Sequence, residues 1–295
     1  MVSPADFDAA RKRAVTLAER TSLGVGGPAE LWFEPATPEE VGAVVSACAT
    51  RGVPLRVLGG GFNLLVGDMP ILGAVLATSR LKGLTVHDDR VEAGAGQSFP
   101  DLVRRSIELK IPVLAGCPGI PGNVGGIVFM NAGGRFGWVS QALVEVQGVD
   151  AAGQPFRRAV SERDFAYRWS PFSGCVITGA AFRRDPGLDA QVLKTDNLAA
   201  WAWKKRTQPL GARSAGCIFK NPDGPMGARP AGRLIDEAGL KGLTVGGAKI
   251  SEVHGNFIVN TGRATAADVI ALIDRVRGEV EARHGVRLEL EVCRW

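Results

Sequence analysis

Hydrophobic residues recur along the chain with helical and strand-like spacings in alternation. Between Thr37 and Gly52 the apolar side chains share one helical face, Thr37 is positioned as an N-cap and Glu40 completes a capping box. The PLRVL segment that follows is predicted to be a strand, and it leads into a glycine turn at residues 59–61. A turn in this position lies at the carboxyl end of a strand, where open α/β sheets bind ligands.

The pattern predicts further elements of both kinds downstream. LTVHDDRVEAGAG is typical of a hairpin that turns at Asp88 and Asp89, and SFPDLVRRSIELK of a helix capped by Ser98. Residues 115–134 are predicted to be a long loop. From DNLAAWAWKKR onward we expect a separate α/β unit with a strand at NFIVN, an amphipathic helix and a terminal strand at VRLELEV. The apolar face of that helix comprises Val269, Leu272, Ile273, Val276 and Val280.

Composition narrows the class of protein. At 295 residues the chain exceeds one average domain, and its 45% hydrophobic and 22% charged residues are typical of a soluble globular protein. No apolar run approaches the roughly 20 residues that span a bilayer, and the N-terminus lacks the apolar core of a signal peptide, so we expect a cytoplasmic protein without membrane insertion. The net charge of +5 suits acidic ligands, but the absence of a basic block argues against nucleic acid.

Two glycine-rich segments are the clearest candidate binding loops. LGGGFNLLV and GIPGNVGGIVFMNAGG each expose backbone N–H groups that can wrap a pyrophosphate. Together they indicate an extended, phosphate-bearing cofactor between two subdomains. A formal G-x-G-x-x-A match at Gly24 to Ala29 is rejected, because it follows no strand and leads into one. The chain contains no P-loop motif.

The 5 cysteines show no metal or disulfide spacing. Without a CxxC pair, and with the 3 histidines far apart, we expect neither a structural metal nor a disulfide framework. Cys48 lies on the apolar face of its helix and is predicted to be core. Cys217, in RSAGCIFKNP, is either a small core residue or an acid that delivers a proton, since the metal and disulfide interpretations are weakened.

A series of ordered blocks carries a resemblance to a known family. The blocks are TSLGVGGPAELW, LGGGFNLLV, GIPGNVGGIVFMNAGG, YRWSPF, SAGCIFKNP, AGRLIDEAGLKG, HGNFIVN and LELEV. In their order and over nearly the whole chain, they resemble the UDP-N-acetylenolpyruvoylglucosamine reductase (MurB) family. The chain is similar to the shorter family type, which lacks an extra tyrosine-bearing loop.

The resemblance implies an α/β (α+β) fold with three parts. Residues 1–80 and 81–198 would form a two-subdomain FAD-binding fold of the vanillyl-alcohol-oxidase/PCMH kind. Residues 199–295 would form an α/β substrate-binding domain whose terminal strand returns to the active site. The implied activity is that of UDP-N-acetylmuramate dehydrogenase, an oxidoreductase of peptidoglycan precursor synthesis. Hydride would pass from NADPH to noncovalent FAD and then to C3 of UDP-N-acetylglucosamine enolpyruvate, before C2 is protonated, and a monomer is expected.

Three catalytic residues follow from the resemblance, and chemistry supports each. Arg168 lies in the Tyr-Arg-x-Ser block, where a guanidinium would stabilise the enolate left by hydride addition. Cys217 occupies the place of the usual serine proton donor, and a thiol with a pKa of about 8.5 is the better acid. Glu291 belongs to the Glu-Val pair and would orient the arginine or share the enolate's hydrogen bonding. Because Glu289 shares the polar face of the same segment, only this register favours Glu291.

The binding residues follow by the same resemblance. Those expected to hold FAD are Gly59, Gly60, Gly61, Phe62, Asn63, Leu64, Gly119, Ile120, Pro121, Gly122, Gly125, Gly126, Asn131, Ala132 and Gly133. Those expected to contact the substrate are Tyr167, Lys220 and Asn221. No metal ligand is expected.

The chain departs from the family pattern at three positions, and two rival functions stay open. Phe62 replaces a serine, Met130 a glutamine and Cys293 an arginine, which puts details of the flavin contacts in doubt. One rival is an FAD-linked alcohol or lactone oxidase of the same fold, although GGGFN has no histidine to tether the flavin. The other is a non-catalytic nucleotide-binding relative.

Overall fold

The computed structural model describes residues 2–12, 15–225 and 227–295. The α-helices are α1 (Pro4–Lys12), α2 (Pro38–Thr50), α3 (Phe99–Arg105), α4 (Pro112–Ala115), α5 (Val124–Phe129), α6 (Ala190–Thr207), α7 (Ala231–Glu237) and α8 (Ala266–His284). Three 3₁₀ helices span Leu17–Arg20, Val139–Gln141 and Glu162–Asp164 in the described residues.

Short strands alternate with these helices. They are β1 (Val15–Thr16), β2 (Pro28–Phe33), β3 (Leu55–Leu58), β4 (Leu64–Leu65), β5 (Ile71–Ala77), β6 (Leu84–Val86), β7 (Arg90–Gly94), β8 (Gly133–Gly134), β9 (Gly137–Trp138), β10 (Leu143–Val149), β11 (Pro155–Ala159), β12 (Val176–Arg183), β13 (Ser214–Cys217), β14 (Thr244–Val245), β15 (Ala248–Ile250), β16 (Phe257–Asn260) and β17 (Cys293–Arg294).

The chain divides into two compact units. Unit 1 contains the described residues up to 12 together with Glu30–Gly60 and Leu72–Ala202, and unit 2 contains Val15–Ala29, Gly61–Ile71 and Trp203–Trp295. Unit 2 is therefore assembled from three separate segments of the sequence. The division into domains at residues 1–80, 81–198 and 199–295 stays a prediction.

Unit 1 contains two sheets and several helices. Strands β2, β5 and β3 lie in that order in one sheet, with β3 and β5 parallel, and a five-stranded antiparallel sheet has the order β11-β10-β12-β7-β6. The predicted hairpin is confirmed as β6 and β7, which turn at residues 87–89. The core includes the fully buried Phe99, Phe172 and Phe182.

Helix α2 confirms the predicted helix, with one change in its cap. The Thr37 hydroxyl oxygen accepts a hydrogen bond from the Glu40 N–H at 3.2 Å. The Glu40 carboxylate reaches back to the N–H of Ala36 rather than of Thr37, at 2.7 Å, so the reciprocal bond of the capping box is shifted by one residue. Cys48 is 1% exposed in the unit 1 core, as predicted.

Unit 2 contains an antiparallel sheet of order β13-β16-β15-β14 and helix α8. All five apolar residues predicted for that helix are buried. Thr265 and Asp268 form a capping box at its start, and Gly285, in the left-handed conformation with φ 66°, ends it. The NFIVN strand is confirmed as β16.

Polar contacts tie the three segments of unit 2 together. The Asn260 side-chain amide donates to the Leu23 carbonyl oxygen at 2.9 Å, and the Ser22 hydroxyl donates to the Ser214 carbonyl oxygen at 2.6 Å. The Asp68 carboxylate accepts from the first N–H groups of α8, at 2.8 Å from the N–H of Ala266. Carboxylates at helix N-termini are stabilised by the unpaired N–H groups and the helix dipole.

Three sequence predictions need correction. The segment predicted as a loop over residues 115–134 contains α5, whose Val124, Ile127 and Val128 are buried on one face and hold the helix against the core. The helix capped by Ser98 ends earlier than the pattern indicated, at Arg105.

The terminal VRLELEV segment is not a regular strand. Leu290 forms an isolated bridge with Phe219, and regular pairing begins only at β17, which runs parallel to β4. The alternation is real, since Leu288 and Val292 are buried, but the segment changes its pairing partner along its length. That change interrupts the ladder of hydrogen bonds that a strand needs.

Candidate active site

The two glycine-rich loops meet inside unit 1. A Cβ placed on Gly59 would lie 3.8 Å from the Gly126 backbone nitrogen. A Cβ on Gly126 itself would meet no other described atom within 4 Å, so this glycine borders open space. Gly126 lies in the first turn of α5, where backbone N–H groups have no partner inside the helix. The arrangement forms a glycine cradle of the kind that accommodates a phosphate-bearing ligand.

The second loop follows a path that its glycines make possible. Gly119 and Gly122 have φ values of 70° and 126°, which side chains rarely adopt. The Gly125 N–H donates to the Ala95 carbonyl oxygen at 2.9 Å, and a Cβ on Gly125 would lie only 2.9 Å from the Ala95 Cβ. Gly125 is therefore needed for packing, whereas Gly126 faces open space.

The first loop is divided between the units, with Gly59 and Gly60 in unit 1 and the residues from Gly61 onward in unit 2. Gly61 has φ 70°, and a Cβ there would overlap the Arg20 carbonyl oxygen. Phe62 is 39% exposed. The part of the loop that belongs to unit 2 therefore presents its backbone and one exposed ring, at the position where the family resemblance predicts a serine hydroxyl.

Asn63 connects this loop to the chain terminus within unit 2. Its side-chain amide donates to the Glu291 carbonyl oxygen at 3.2 Å, and its carbonyl oxygen accepts from the Cys293 N–H at 3.0 Å. Leu64 pairs with Cys293 as β4 meets β17. The residue predicted to donate to flavin thus also holds the backbone of Glu291.

Arg168 lies in a tight turn of unit 1. Ala166 and Trp169 exchange two backbone hydrogen bonds, at 3.2 and 3.1 Å, which leaves Tyr167 and Arg168 at the tip. Arg168 has φ 55°, an uncommon conformation for a residue with a side chain. Such backbone strain persists only where the surroundings impose it, and it clusters at functional sites.

Aromatic rings surround the half-buried Arg168 guanidinium. Its central carbon lies 5.6 Å from the centre of the Trp138 ring and 5.3 Å from that of Tyr167. The two rings meet edge to face at 5.9 Å, and an Arg168 N–H donates to the Gly133 carbonyl oxygen at 3.5 Å. Cation–π contact and a backbone acceptor thus fix the direction of a charged side chain.

Asn131, at the end of the second loop, supports the same turn. It is 4% exposed and has φ 42°. Its side-chain amide donates to the Ala166 carbonyl oxygen at 3.0 Å, and its side-chain oxygen accepts from the Ser140 N–H at 3.2 Å. The side chain predicted to lie near the flavin is thus engaged by the protein.

Cys217 ends β13 in unit 2, opposite Phe257 of β16. The register shifts between Ser214 and Cys217, where Gly216 has φ 76° and a Cβ would meet no described atom within 4 Å. Gly216 is therefore required for its backbone conformation, and it leaves open space beside the half-buried Cys217.

Backbone hydrogen bonds bring the Glu291 segment alongside Cys217 within unit 2. The Glu291 N–H donates to the carbonyl oxygen of Ile218, the residue after Cys217, at 2.8 Å. On the other side of this segment, the Asn256 side chain bonds both the N–H and the carbonyl oxygen of Phe219, at 2.9 and 2.8 Å. Cys217 and Glu291, the two predicted catalytic residues of unit 2, thus lie on adjacent segments that hydrogen bonds hold in place.

The predicted substrate-side residues of unit 2 have different surroundings. The Lys220 Nζ lies 3.7 Å from Glu289 Oε2, and both side chains are exposed. The Asn221 side-chain oxygen accepts from the Ala231 N–H at 3.1 Å, at the start of α7. Glu289 is exposed whereas Glu291 is half-buried, a difference that favours Glu291 as the functional carboxylate.

Three residues near these segments carry no role predicted from sequence. The Trp138 ring contacts the Arg168 guanidinium, and the Asn256 side chain bonds the backbone of Phe219, two residues after Cys217. Asn256 lies in the HGNFIVN block, and its place in that block is the sequence feature that could have indicated its role. Ser170 ends the Tyr-Arg-x-Ser block, and its buried hydroxyl has no hydrogen-bond partner in the described part of the chain. A buried hydroxyl without a partner costs about 1–3 kcal/mol unless water or a bound molecule satisfies it.

His254, which begins the HGNFIVN block, is a structural residue. Its Nδ1 accepts from the Asn256 N–H at 3.2 Å, and its ring meets Phe257 edge to face at 4.9 Å. Burial, with the nearby Lys241 charge, lowers the pKa of His254 below its ordinary value. A neutral ring is the form that this acceptor contact requires.

Among the described residues no group of three or more His, Cys, Asp or Glu side chains is placed to hold a metal ion. Over residues 2–12, 15–225 and 227–295, no helix combines the length and apolar composition that crossing a membrane requires.

Two family models match separate stretches of the chain. Residues 29–157 match a model described as FAD binding domain. Residues 208–295 match the model for the UDP-N-acetylenolpyruvoylglucosamine reductase C-terminal domain. These matches confirm the predicted fold class, an α/β FAD-binding fold followed by a C-terminal domain.

Individual relatives match over almost their full length. A UDP-N-acetylenolpyruvoylglucosamine reductase of Synechococcus sp. (strain CC9605) is 42% identical over 95% of this chain and 94% of the relative. That of Desulfosudis oleivorans is 40% identical over 94% of this chain and 91% of its own. The crystal structure of the Thermus caldophilus enzyme superposes with a TM-score of 0.78 at 37% identity, covering 96% of this chain and 98% of that one. The chain therefore belongs to the UDP-N-acetylenolpyruvoylglucosamine reductase (MurB) family.

Proposed function

We infer that this chain reduces UDP-N-acetylglucosamine enolpyruvate to UDP-N-acetylmuramate in peptidoglycan precursor synthesis, as an NADPH-dependent flavoenzyme. The observation that carries the conclusion is similarity to enzymes of this name over nearly the whole chain, both glycine loops included. When bound in the glycine loops, FAD would supply the hydride chemistry that links NADPH to C3 of the enolpyruvyl group. The oxidase and the non-catalytic alternatives are not favoured.

The glycine cradle of unit 1 fits FAD. Gly59 and Gly126 bring two backbones together beside open space, and the backbone N–H groups there do not depend on side chains. The departures at Phe62 and Met130 therefore leave this part of the cradle unchanged. We assign the pyrophosphate to the two loops, with the other predicted loop residues shaping the backbone around it.

Arg168 is proposed to oppose the negative charge that hydride addition leaves on the substrate. A guanidinium whose direction is fixed before the reaction stabilises a developing oxyanion without reorganisation. The left-handed turn and the two aromatic contacts supply that fixed direction. Tyr167, at the tip of the same turn, is proposed to contact substrate.

Cys217 is proposed to give its proton to C2 of the substrate. The new C–H bond forms as the S–H bond breaks, which leaves a thiolate that solvent reprotonates. The open space beside Gly216 gives a substrate access to the half-buried thiol. A core residue in this place would instead be fully enclosed, as Cys48 is.

Glu291 is proposed to share the hydrogen bonding of the same enolate, donating through a protonated carboxyl group, and Lys220 and Asn221 to contact the substrate's diphosphate and sugar. Support for Glu291 comes from its half-buried position on the segment that pairs with Ile218. The Lys220–Glu289 pair is exposed, and such pairs contribute only about 0–1 kcal/mol, so a diphosphate can compete for the ammonium group. A cytoplasmic location and a monomeric state stay predictions from sequence.

The flavin assignment is tested at Gly126. Gly126→Val adds a side chain that meets no described protein atom near its Cβ but fills the cradle, so we expect a folded protein that copurifies without FAD. Gly278→Val, an exposed helical glycine of α8 with equally open surroundings, is the matched control and should stay yellow. Full FAD content in Gly126→Val would overturn the cradle assignment. Release of the flavin on acid precipitation would separately confirm noncovalent attachment.

A further inference from the structure

Asn131 combines an uncommon backbone conformation with two side-chain hydrogen bonds to other parts of unit 1. It is a nearly buried residue in the left-handed region, a conformation that costs energy for any side chain. Its amide nitrogen faces a carbonyl oxygen and its amide oxygen faces an N–H, so both partners fix the orientation of the carboxamide. The two partners, Ala166 and Ser140, lie 35 and 9 residues away along the chain.

The Ala166 carbonyl oxygen has a second donor. The Trp169 N–H also donates to it, at 3.1 Å, and this bond closes the turn that carries Arg168. A carbonyl oxygen has two lone pairs, so Asn131 and Trp169 can both be satisfied by the same atom. The Asn131 side chain therefore braces the base of the Arg168 turn from the end of the second glycine loop.

We propose that Asn131 is a positioning residue, which holds the turn from Ala166 to Trp169 in the conformation that presents Arg168. The inference rests on the proposed function through the role given to Arg168. Arg168 is itself strained at φ 55°, and a strained tip relaxes when its base is released. The expected consequence of losing this brace is a misdirected guanidinium in an otherwise folded protein.

Two substitutions separate the brace from the backbone. Asn131→Gly keeps the left-handed conformation accessible and removes both side-chain bonds. Asn131→Asp keeps the acceptor for the Ser140 N–H but sets a carboxylate oxygen against the Ala166 carbonyl oxygen, so it breaks only the brace. Lys110→Gly is the matched control, since Lys110 is another left-handed residue of unit 1, at φ 59°, outside the proposed site.

The first readout is kinetic, in the FAD-loaded enzyme. Because Asn131 is also a predicted flavin contact, the FAD content of each variant is measured first, and the rates of flavin reduction and of reoxidation are expressed per bound flavin. Reoxidation by the enolpyruvyl substrate should slow by about 10–10²-fold, because small misplacements of a catalytic group have effects of that size. In an Arg168→Ala background, Asn131→Gly should add little, since the group it positions is already gone.

The second readout is structural and needs no activity. Amide hydrogen exchange of the segment that contains Trp169 should be faster in Asn131→Gly than in the wild type, and unchanged in Lys110→Gly. Normal reoxidation per bound flavin in both Asn131 variants, an equal slowing of flavin reduction and reoxidation, or a full additional effect in the Arg168→Ala background would each overturn the proposal. If Arg168→Ala alone leaves reoxidation intact, the catalytic role of Arg168 fails instead.

Discussion

The Arg168 turn of unit 1 and the Cys217 strand of unit 2 are held in place by different means. Side chains hold Arg168: the Asn131 carboxamide braces its turn, and Trp138 contacts its guanidinium. Mainly backbone holds Cys217: a sheet register shift, a left-handed glycine and main-chain bonds at Ile218 set its position, and the Asn256 side chain adds two bonds to the backbone of Phe219. These bonds are made by other residues of the segment, so the same backbone would present either a thiol or the hydroxyl that the family resemblance predicts.

The largest expected effect comes from removing the proposed proton donor. Cys217→Ala should lower steady-state turnover by about 10²–10⁴-fold, because a general acid contributes an effect of that size. Cys217→Ser should keep substantial activity, since the backbone presents a hydroxyl in the same place. Turnover is measured as NADPH consumption with the enolpyruvyl substrate. A fully active Cys217→Ala enzyme would contradict the proton-donor assignment, and only the Arg168 turn would then be left as a proposed catalytic element.

Arg168 and Glu291 come next in expected size. Arg168→Ala should lower turnover by about 10²–10³-fold, the usual consequence of losing a fixed donor to a developing oxyanion. Glu291→Gln replaces the carboxyl group by an amide that cannot exchange a proton in the same way, and it should lower turnover as well. Glu289→Gln is the matched control, because Glu289 is exposed on the same segment. A loss in Glu289→Gln with none in Glu291→Gln would place the functional carboxylate at the other register.

The backbone dependence of Cys217 is tested at Gly216. An alanine there is forced into the left-handed region, which should lower the free energy of unfolding by about 1–2 kcal/mol. Gly52→Ala at the end of α2, with φ 64° and open surroundings, should cost the same in urea denaturation. Turnover should fall several-fold only in Gly216→Ala. Equal turnover in the two variants would show that the bulge conformation does not position Cys217.

The smallest effect concerns His254 and pH. Its pKa in the folded state is lowered by burial and by Lys241, so the unfolded chain binds the proton more readily below about pH 6.5. The contribution of His254 to the free energy of unfolding should therefore be constant above about pH 6.5 and should fall as the pH drops from there towards the folded-state pKa. His254→Gln should reduce the difference in unfolding free energy between about pH 7.5 and about pH 5.5. An unchanged difference would contradict the assignment of a neutral, buried ring.

The local pattern of the sequence predicts those elements whose apolar positions, caps and turn residues all lie within the element itself. Helix α8 has apolar residues at helical intervals and a capping box, and the β6–β7 hairpin has its turn residues between two strands. Helix α5 was missed because Gly125 and Gly126 lower helix propensity, although Val124, Ile127 and Val128 have helical spacing. Burial of that face against the core outweighs the glycines.

Long-range organisation could not be predicted from the pattern. The terminal segment alternates as a strand does, but the bond from the Glu291 N–H to Ile218 and that from the Cys293 N–H to Asn63 join it to two distant partners in turn. The catalytic roles came from resemblance to a family rather than from spacing. The hydrogen bond from Asn131 to Ala166 joins residues 35 positions apart. It could not be predicted from the sequence, because nothing in either segment indicates the other as its partner.

Cys217 is proposed to act only after the flavin has been reduced. The two half-reactions are measured separately under anaerobic conditions in the wild type and in Cys217→Ala. We expect NADPH to bleach the flavin at the same rate in both proteins. The enolpyruvyl substrate should then restore the yellow colour promptly in the wild type and about 10²–10⁴ times more slowly in the variant. Equal rates of reoxidation, or an equal slowing of both half-reactions, would contradict this proposal.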